Sequence, residues 1–255
     1  MEERGWEPTL AFMNRLIGFA QQNKARKPVT KTSLEAVGKL VKLSKGIPAF
    51  FKEIKQFINR KFGTQGVSLG IYIVSGGIDE VIRASRINGR LGKSTFVDEI
   101  FACRFAYDSD DVIYFPKSTV SFTEKTKFLF AINKGISAKE LGRDPYSVND
   151  QIPLHDRPVS FKDMIYVGDG PTDVPCMSFL KDRGAEVFAV YTEPRQGIPK
   201  KTHTLATQGR FTRGPYKRDY RTGSDLRRAL EGELEGYAER IISEAAASRH
   251  PAPRH

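Results

Sequence analysis

Cysteine is almost missing from this chain: its 255 residues include two, Cys103 and Cys176, far apart in sequence. That spacing excludes a disulfide framework and any CxxC-type zinc pair, and leads us to expect free thiols in the cytoplasm. Long apolar runs are also missing, and none reaches the roughly 18 residues of a membrane span. The first residues, Met1-Glu2-Glu3-Arg4, have no apolar core followed by small residues, so no signal peptide is expected. The four histidines, at 155, 203, 250 and 255, show no ligand spacing and complete no Ser-His-Asp set. No internal repeat is present.

What is present suits a globular protein: 39% hydrophobic and 28% charged residues. The net charge of +11 is compatible with an affinity for anions, from phosphate esters to nucleic acid, and equally with a merely solubilising surface.

Residues 1–62 read as helices. Leu10, Met13, Leu16, Ile17 and Phe19 recur near helical spacing. Thr32 followed by Glu35 fits a capping box. Ala49 to Phe62 carries Phe50, Phe51, Ile54 and Phe57 at helical spacing, after a break at Gly46-Ile47-Pro48. The period then changes. Leu69–Val74 is a short apolar strand running into the glycine turn Ser75-Gly76-Gly77, and a helix is expected from Ile78 to Ser85. Ile100–Tyr107 and Val112–Phe115 form two strands around the acidic turn Asp108-Ser109-Asp110-Asp111. A helix covers Lys125–Lys134, a strand Met164–Val167, a helix Val174–Arg183 and a strand Glu186–Thr192. This alternation predicts an α/β fold with a mainly parallel sheet. Residues 195–223 read as a loose basic loop, and a final helix from Ser224 presents Leu226, Leu230, Leu234, Tyr237 and Ile241 along one stripe. Residues 248–255 read as disordered.

Three positions carry chemistry. Ser75, after an apolar strand and before a helix, offers a hydroxyl beside free backbone N–H groups, and Gly76 and Gly77 allow close backbone approach; this suits phosphate oxygens, or simply caps a turn. Gly168-Asp169-Gly170-Pro171-Thr172-Asp173 ends another apolar strand, where open α/β sheets bind ligands. Its two carboxylates suit one hard cation such as Mg²⁺, or else only cap the next helix. Lys125, at the start of a helix, opposes the helix dipole unless an anion lies nearby; Lys127 is the alternative.

Taken together, Ile73-Val74-Ser75-Gly76-Gly77, Lys125 and Tyr166–Asp173 resemble motifs II, III and IV of the haloacid dehalogenase superfamily, in its phosphoserine-phosphatase-like branch. The resemblance covers residues 40–192. It implies a Rossmann-like core at 63–195, a helical cap at 1–62, and a basic loop with a C-terminal helix at 196–255. It also implies Mg²⁺-dependent hydrolysis of a small phosphomonoester through an aspartyl-phosphate. In that case Ser75, Gly76, Gly77 and Lys125 hold the phosphate, with Lys125 bridging phosphate and nucleophile, and Asp169 and Asp173 serve the metal.

The family's motif I, an apolar strand ending in DxDx(T/V), is not found before the cap. Asp108-Ser109-Asp110-Asp111-Val112 has the letters but falls after motif II in a hairpin turn, so it is rejected as the nucleophile. In the family the missing strand lies between those ending at Ser75 and Gly168. Its absence predicts unpaired backbone there and points to a shortened start. Two other functions remain open: an inactive phosphate- or metal-binding protein, and a nucleic-acid binder using the basic and aromatic residues of 210–221. Asn88–Ser94 ends like a P-loop but lacks its first glycine, and reads as a basic loop.

Overall fold

The computed structural model describes residues 5–88, 96–192 and 200–249. In chain order these form α1 (Pro8–Gln22), α2 (Lys31–Gly38), α3 (Ala49–Phe62), β1 (Tyr72–Ile78), α4 (Asp79–Ala84), β2 (Glu99–Tyr107), β3 (Ile113–Ser118), α5 (Glu124–Lys134), α6 (Ala138–Arg143), β4 (Ile165–Gly168), α7 (Val174–Lys181), β5 (Glu186–Tyr191), α8 (Lys200–Thr207), β6 (Arg213–Lys217) and α9 (Asp225–Arg249).

The fold is α/β, but its strands form two three-stranded sheets rather than one. Their orders are β1-β2-β3 and β4-β5-β6. Pairing is parallel throughout except at the β2–β3 hairpin. β1 and β4, the strands that carry the Ser75 and Asp169 turns, are therefore both edge strands. Among the described residues no strand is paired to the outer edge of either.

The strand patterns follow from burial on both faces. In β5, Val187 enters one core while Phe188 and Val190 enter another. A strand covered on both sides has no polar alternation, which is why Glu186–Tyr191 reads as a continuous apolar run. One core contains Met13 and Ile17 of α1, Phe101 and Phe105 of β2, Phe128 of α5 and Met177 of α7. The other joins Phe50 and Ile54 of α3 to Leu226 and Leu230 of α9 across β5. Burying each such side chain contributes about 1.5–3 kcal/mol. The first three helices are thus built into the same cores as the strands, and so is α9.

Local differences from the sequence expectation have identifiable causes. In α1 the buried stripe is Met13, Ile17 and Ala20, spaced i, i+4, i+7, while Leu10 and Phe19 are exposed. The α2 cap is Thr30, not Thr32. Thr30 is extended and bridges Val112, and its hydroxyl accepts from the Ser33 amide while Ser33 Oγ accepts from the Thr30 amide. Residues 200–207 and 213–217 form a helix and a strand where a loose loop was expected, because β6 completes the edge of β5. α9 continues through Arg249. Residues 89–95, most of the P-loop-like segment, lie outside the described residues, as do 250–255. Among the described residues no helix is long and apolar enough to cross a membrane.

Candidate functional site

Ser75 lies inside β1, not at the head of a helix. β1 runs on to Ile78, and the six-residue α4 begins only at Asp79. The pairing shifts here: Ser75 faces Ala102 while Ile78 faces Cys103, so Gly76 and Gly77 bulge from the ladder. The bulge turns the Gly77 amide back onto the Ser75 hydroxyl, an N–H···O bond of 3.0 Å. Gly76 packs closely: a Cβ there would stand 3.2 Å from the Val120 carbonyl oxygen, a tight contact that a small local shift would have to relieve.

Val120 belongs to the segment that leads from β3 into α5. Its amide donates to Cys103 Sγ, and the Cys103 thiol in turn donates to the Gly76 carbonyl, each at 3.3 Å. This chain of contacts holds the start of α5 against the carboxyl end of β1. Lys125, one residue into α5, is 8% exposed, whereas Lys127 points outward to Glu124. Of the two lysines, Lys125 is the one that faces inward.

Its ammonium donates to Asp173 Oδ1 at 2.7 Å and to Thr172 Oγ1 at 3.4 Å. Asp173, 5% exposed, gathers the loop after β4. The Tyr166 hydroxyl donates to Oδ1 at 2.8 Å, and the amides of Asp169 and Gly170 donate to Oδ2 at 3.0 and 3.3 Å. Four donors therefore satisfy one buried carboxylate, the condition under which a charge is tolerated away from water. Burial, then the Asp173 charge, hold the Tyr166 phenol well above its usual range, so it stays a donor. Gly168 is required by the same packing: a Cβ would lie 2.7 Å from Met177 Cε and 2.9 Å from Asp173 Cβ.

Asp169 projects from this loop with its side chain about half exposed (49%), and its Oδ2 accepts from Arg218 Nη1 at 2.8 Å. The two loop carboxylates thus have different surroundings. Asp173 has both oxygens committed to protein donors, and Asp169 is the accessible one. Among the described residues no group of three or more His, Cys, Asp or Glu side chains is arranged to hold a metal ion. Mg²⁺ prefers six oxygens, and the loop offers it one available carboxylate, so these residues alone do not make a complete site.

The structure therefore joins Lys125 to Asp173 directly. Through Val120 and Cys103 it sets the segment leading into α5 against the Ser75–Gly77 bulge. Sequence reasoning missed three contributors. Tyr166 stands two residues before Gly168 on the same strand face, and only the fold shows its hydroxyl reaching Asp173. Thr172 likewise meets Lys125 only in the fold. Arg218 comes from beyond β6, 49 residues from its partner Asp169, and no local pattern announces it.

The other candidates are engaged elsewhere. Asp108 and Asp110 both pair with Lys24 at 2.8 Å, and Asp108 Oδ1 accepts the amides of Asp110 and Val112 within the hairpin turn. In the basic 210–221 segment, Arg210 donates to Ser178, Arg213 pairs with Glu186 and Glu233, and Arg221 pairs with Asp219. Tyr216 stacks on Phe188 and Tyr220 packs against Phe50. These arginines and rings serve the fold's own contacts.

No family model matches the chain. It is similar to an uncharacterised protein from Borreliella burgdorferi, 29% identical over 164 residues and 57% of this chain. The chain spans about half the length of that curated relative (51%).

Proposed function

We propose that these loops are the phosphate-holding part of a haloacid-dehalogenase-type phosphohydrolase that acts on a small phosphomonoester. The observation that carries the reading is the buried Lys125–Asp173 pair, which ties the start of α5 to the loop after β4. Lys125 is the cation that neutralises phosphoryl charge. Ser75 Oγ and the bulged Gly76–Gly77 backbone supply neutral hydrogen bonds to its oxygens. Asp173 orients Lys125 and the Asp169–Gly170 backbone and is a positioning residue. Mg²⁺ belongs to this reading with Asp169 as its accessible carboxylate, in competition with Arg218; when bound it would add positive charge beside the phosphate. The attacking carboxylate of an aspartyl-phosphate route is not among the residues gathered at this site.

Titration calorimetry with inorganic phosphate, with and without Mg²⁺, tests the reading. Binding is expected, and Lys125→Met should weaken it by about 10–100-fold, the value of a hydrogen bond to a charged group. Ser75→Ala, at a half-buried position, should weaken it less. No binding by the parent chain, or equal binding by both variants when circular dichroism shows them folded, would overturn the proposal. Release of p-nitrophenol from its phosphate ester separates an enzyme from a protein that only binds. The 255-residue chain should release none.

A further inference from the structure

We infer that residues 37–42, where α2 ends and the chain turns toward α3, form a docking surface for an anionic lipid bilayer. None of these residues belongs to the proposed phosphate site. Val37, Leu40 and Val41 are 53%, 80% and 42% exposed, an aliphatic group left in water. Lys39 and Lys42 stand among them and are exposed as well, and among the described residues neither has an ion-pair partner. Residues 31–45 carry four lysines against one acid, Glu35. The surface is therefore apolar and positive at once.

The backbone holds these side chains where they are. Gly38 is buried, and a Cβ on it would strike the Val81 carbonyl and come within 2.8 Å of Ala84 Cβ, so the chain lies directly on α4. The Leu40 amide donates to the Val37 carbonyl at 3.0 Å and the Val41 amide to the Gly38 carbonyl at 3.1 Å, which closes the turn. At the far root Lys45 bridges Asp219, and the Tyr220 amide donates to the Lys45 carbonyl at 2.8 Å. Gly46, at φ +87°, lies against the Tyr220–Arg221 peptide. A turn fixed at both roots has little order left to gain on binding, and that lowers the cost of docking.

Charge and side-chain type together select the partner. Lysine ammonium groups are drawn to anionic headgroups, and their long stems let neighbouring aliphatic side chains enter the acyl boundary. The exposed Arg86, two residues past the Ala84 contact, adds positive charge nearby. Protein interfaces favour aromatic residues and arginine and are depleted in lysine, the reverse of residues 37–42. Single-stranded nucleic acid would match the charge, but it binds by stacking on aromatic rings, and the turn has none. Among the described residues no helix is long and apolar enough to cross a membrane, so contact through this turn is peripheral and reversible.

Co-sedimentation of the 255-residue chain with vesicles tests this, using phosphatidylcholine alone or with about one-third phosphatidylserine. The chain should sediment with the mixed vesicles and stay in solution with the neutral ones. A lysine near an anionic surface is worth about fivefold in affinity, so Lys39→Gln/Lys42→Gln should weaken binding about 20–30-fold. Leu40→Gln, at an exposed position that folding does not need, should weaken it about tenfold. Lys139→Gln/Arg143→Gln removes the same charge from α6 and should weaken it far less, and circular dichroism checks that every variant is folded. Failure to sediment with the mixed vesicles, or binding that ignores phosphatidylserine, would overturn the inference. So would loop variants that bind like the parent, or an α6 variant that loses as much as the loop lysines, which would make overall charge the cause. Loss in the lysine variant with none in Leu40→Gln would also overturn it and leave a soluble polyanion such as nucleic acid as the partner.

Discussion

Replacing Asp173 by alanine should be far more damaging than replacing its partner Lys125 by methionine. The pair is buried on both sides, with 10% and 8% of the Lys125 and Asp173 side chains exposed. Removing the carboxylate strands the ammonium with Thr172 as its remaining partner, and also releases the Tyr166 hydroxyl and the Asp169 and Gly170 amides. Loss of one partner from a buried ion pair costs about 3–5 kcal/mol. For a chain of this size that is a fall in melting temperature of about 6–20 °C. Lys125→Met leaves Asp173 with its hydroxyl and two amide donors and removes the desolvation cost of the ammonium, so about 1–2 kcal/mol is expected. Urea unfolding followed by circular dichroism measures both variants, and the double variant Lys125→Met/Asp173→Asn should recover part of the Asp173 loss. If Asp173→Ala costs no more than Lys125→Met, the carboxylate does not organise this site and the account of the loop is wrong.

Two glycines should respond in opposite directions. Gly38→Ala drives a methyl into the Val81 carbonyl and to within 2.8 Å of Ala84 Cβ, so the α2–α4 contact should lose about 1–3 kcal/mol. Gly232→Ala, inside α9 with nothing within 4 Å, should gain about 0.5–1 kcal/mol; the same urea assay reads both. Cys103 and Cys176 are buried and free, and burial pushes the Cys103 thiol up to about 11. Neither should react with Ellman's reagent at pH 8 until denaturant is added; prompt labelling of native protein would contradict the packing. Arg221 holds the Asp219 carboxyl down to about 2. A depressed folded value means stability that is present above the unfolded carboxylate range and is lost as pH falls from about 4 toward 2. The urea midpoint should therefore fall more steeply in that window for the parent than for Asp219→Asn. Because the arginines of 210–221 are engaged in internal contacts, fluorescence anisotropy should detect little single-stranded oligonucleotide binding at physiological salt. Tight binding with a steep salt dependence would reverse that expectation.

The elements most legible in the sequence were those whose burial follows a single period. α3 runs from Ala49 to Phe62 as its phenylalanine and isoleucine spacing predicts, and β5 departs from its expected span by one residue. The Gly168–Asp173 loop announced itself because a strand end, two glycines and two acids coincide. Other features depended on partners distant in the chain. β6 is extended because β5 needed an edge partner, so its Gly- and Arg-rich residues read as a loop. The Thr30 cap is chosen by a bridge to Val112, 82 residues on, against which the Thr32–Glu35 pattern had no weight.

The sequence by itself determined the α/β class, the order of most elements and the placing of Lys125 in the first turn of a helix and of Asp169 and Asp173 after a strand end, because periodicity and turn chemistry are local properties. Only the tertiary structure decided that Asp173 belongs to Lys125, that Asp169 belongs to Arg218, and that β1 and β4 end as separate sheet edges. Those outcomes depend on which groups meet across 40 or more residues of chain and on which backbone edges find a partner, and neither is encoded in any one window of residues.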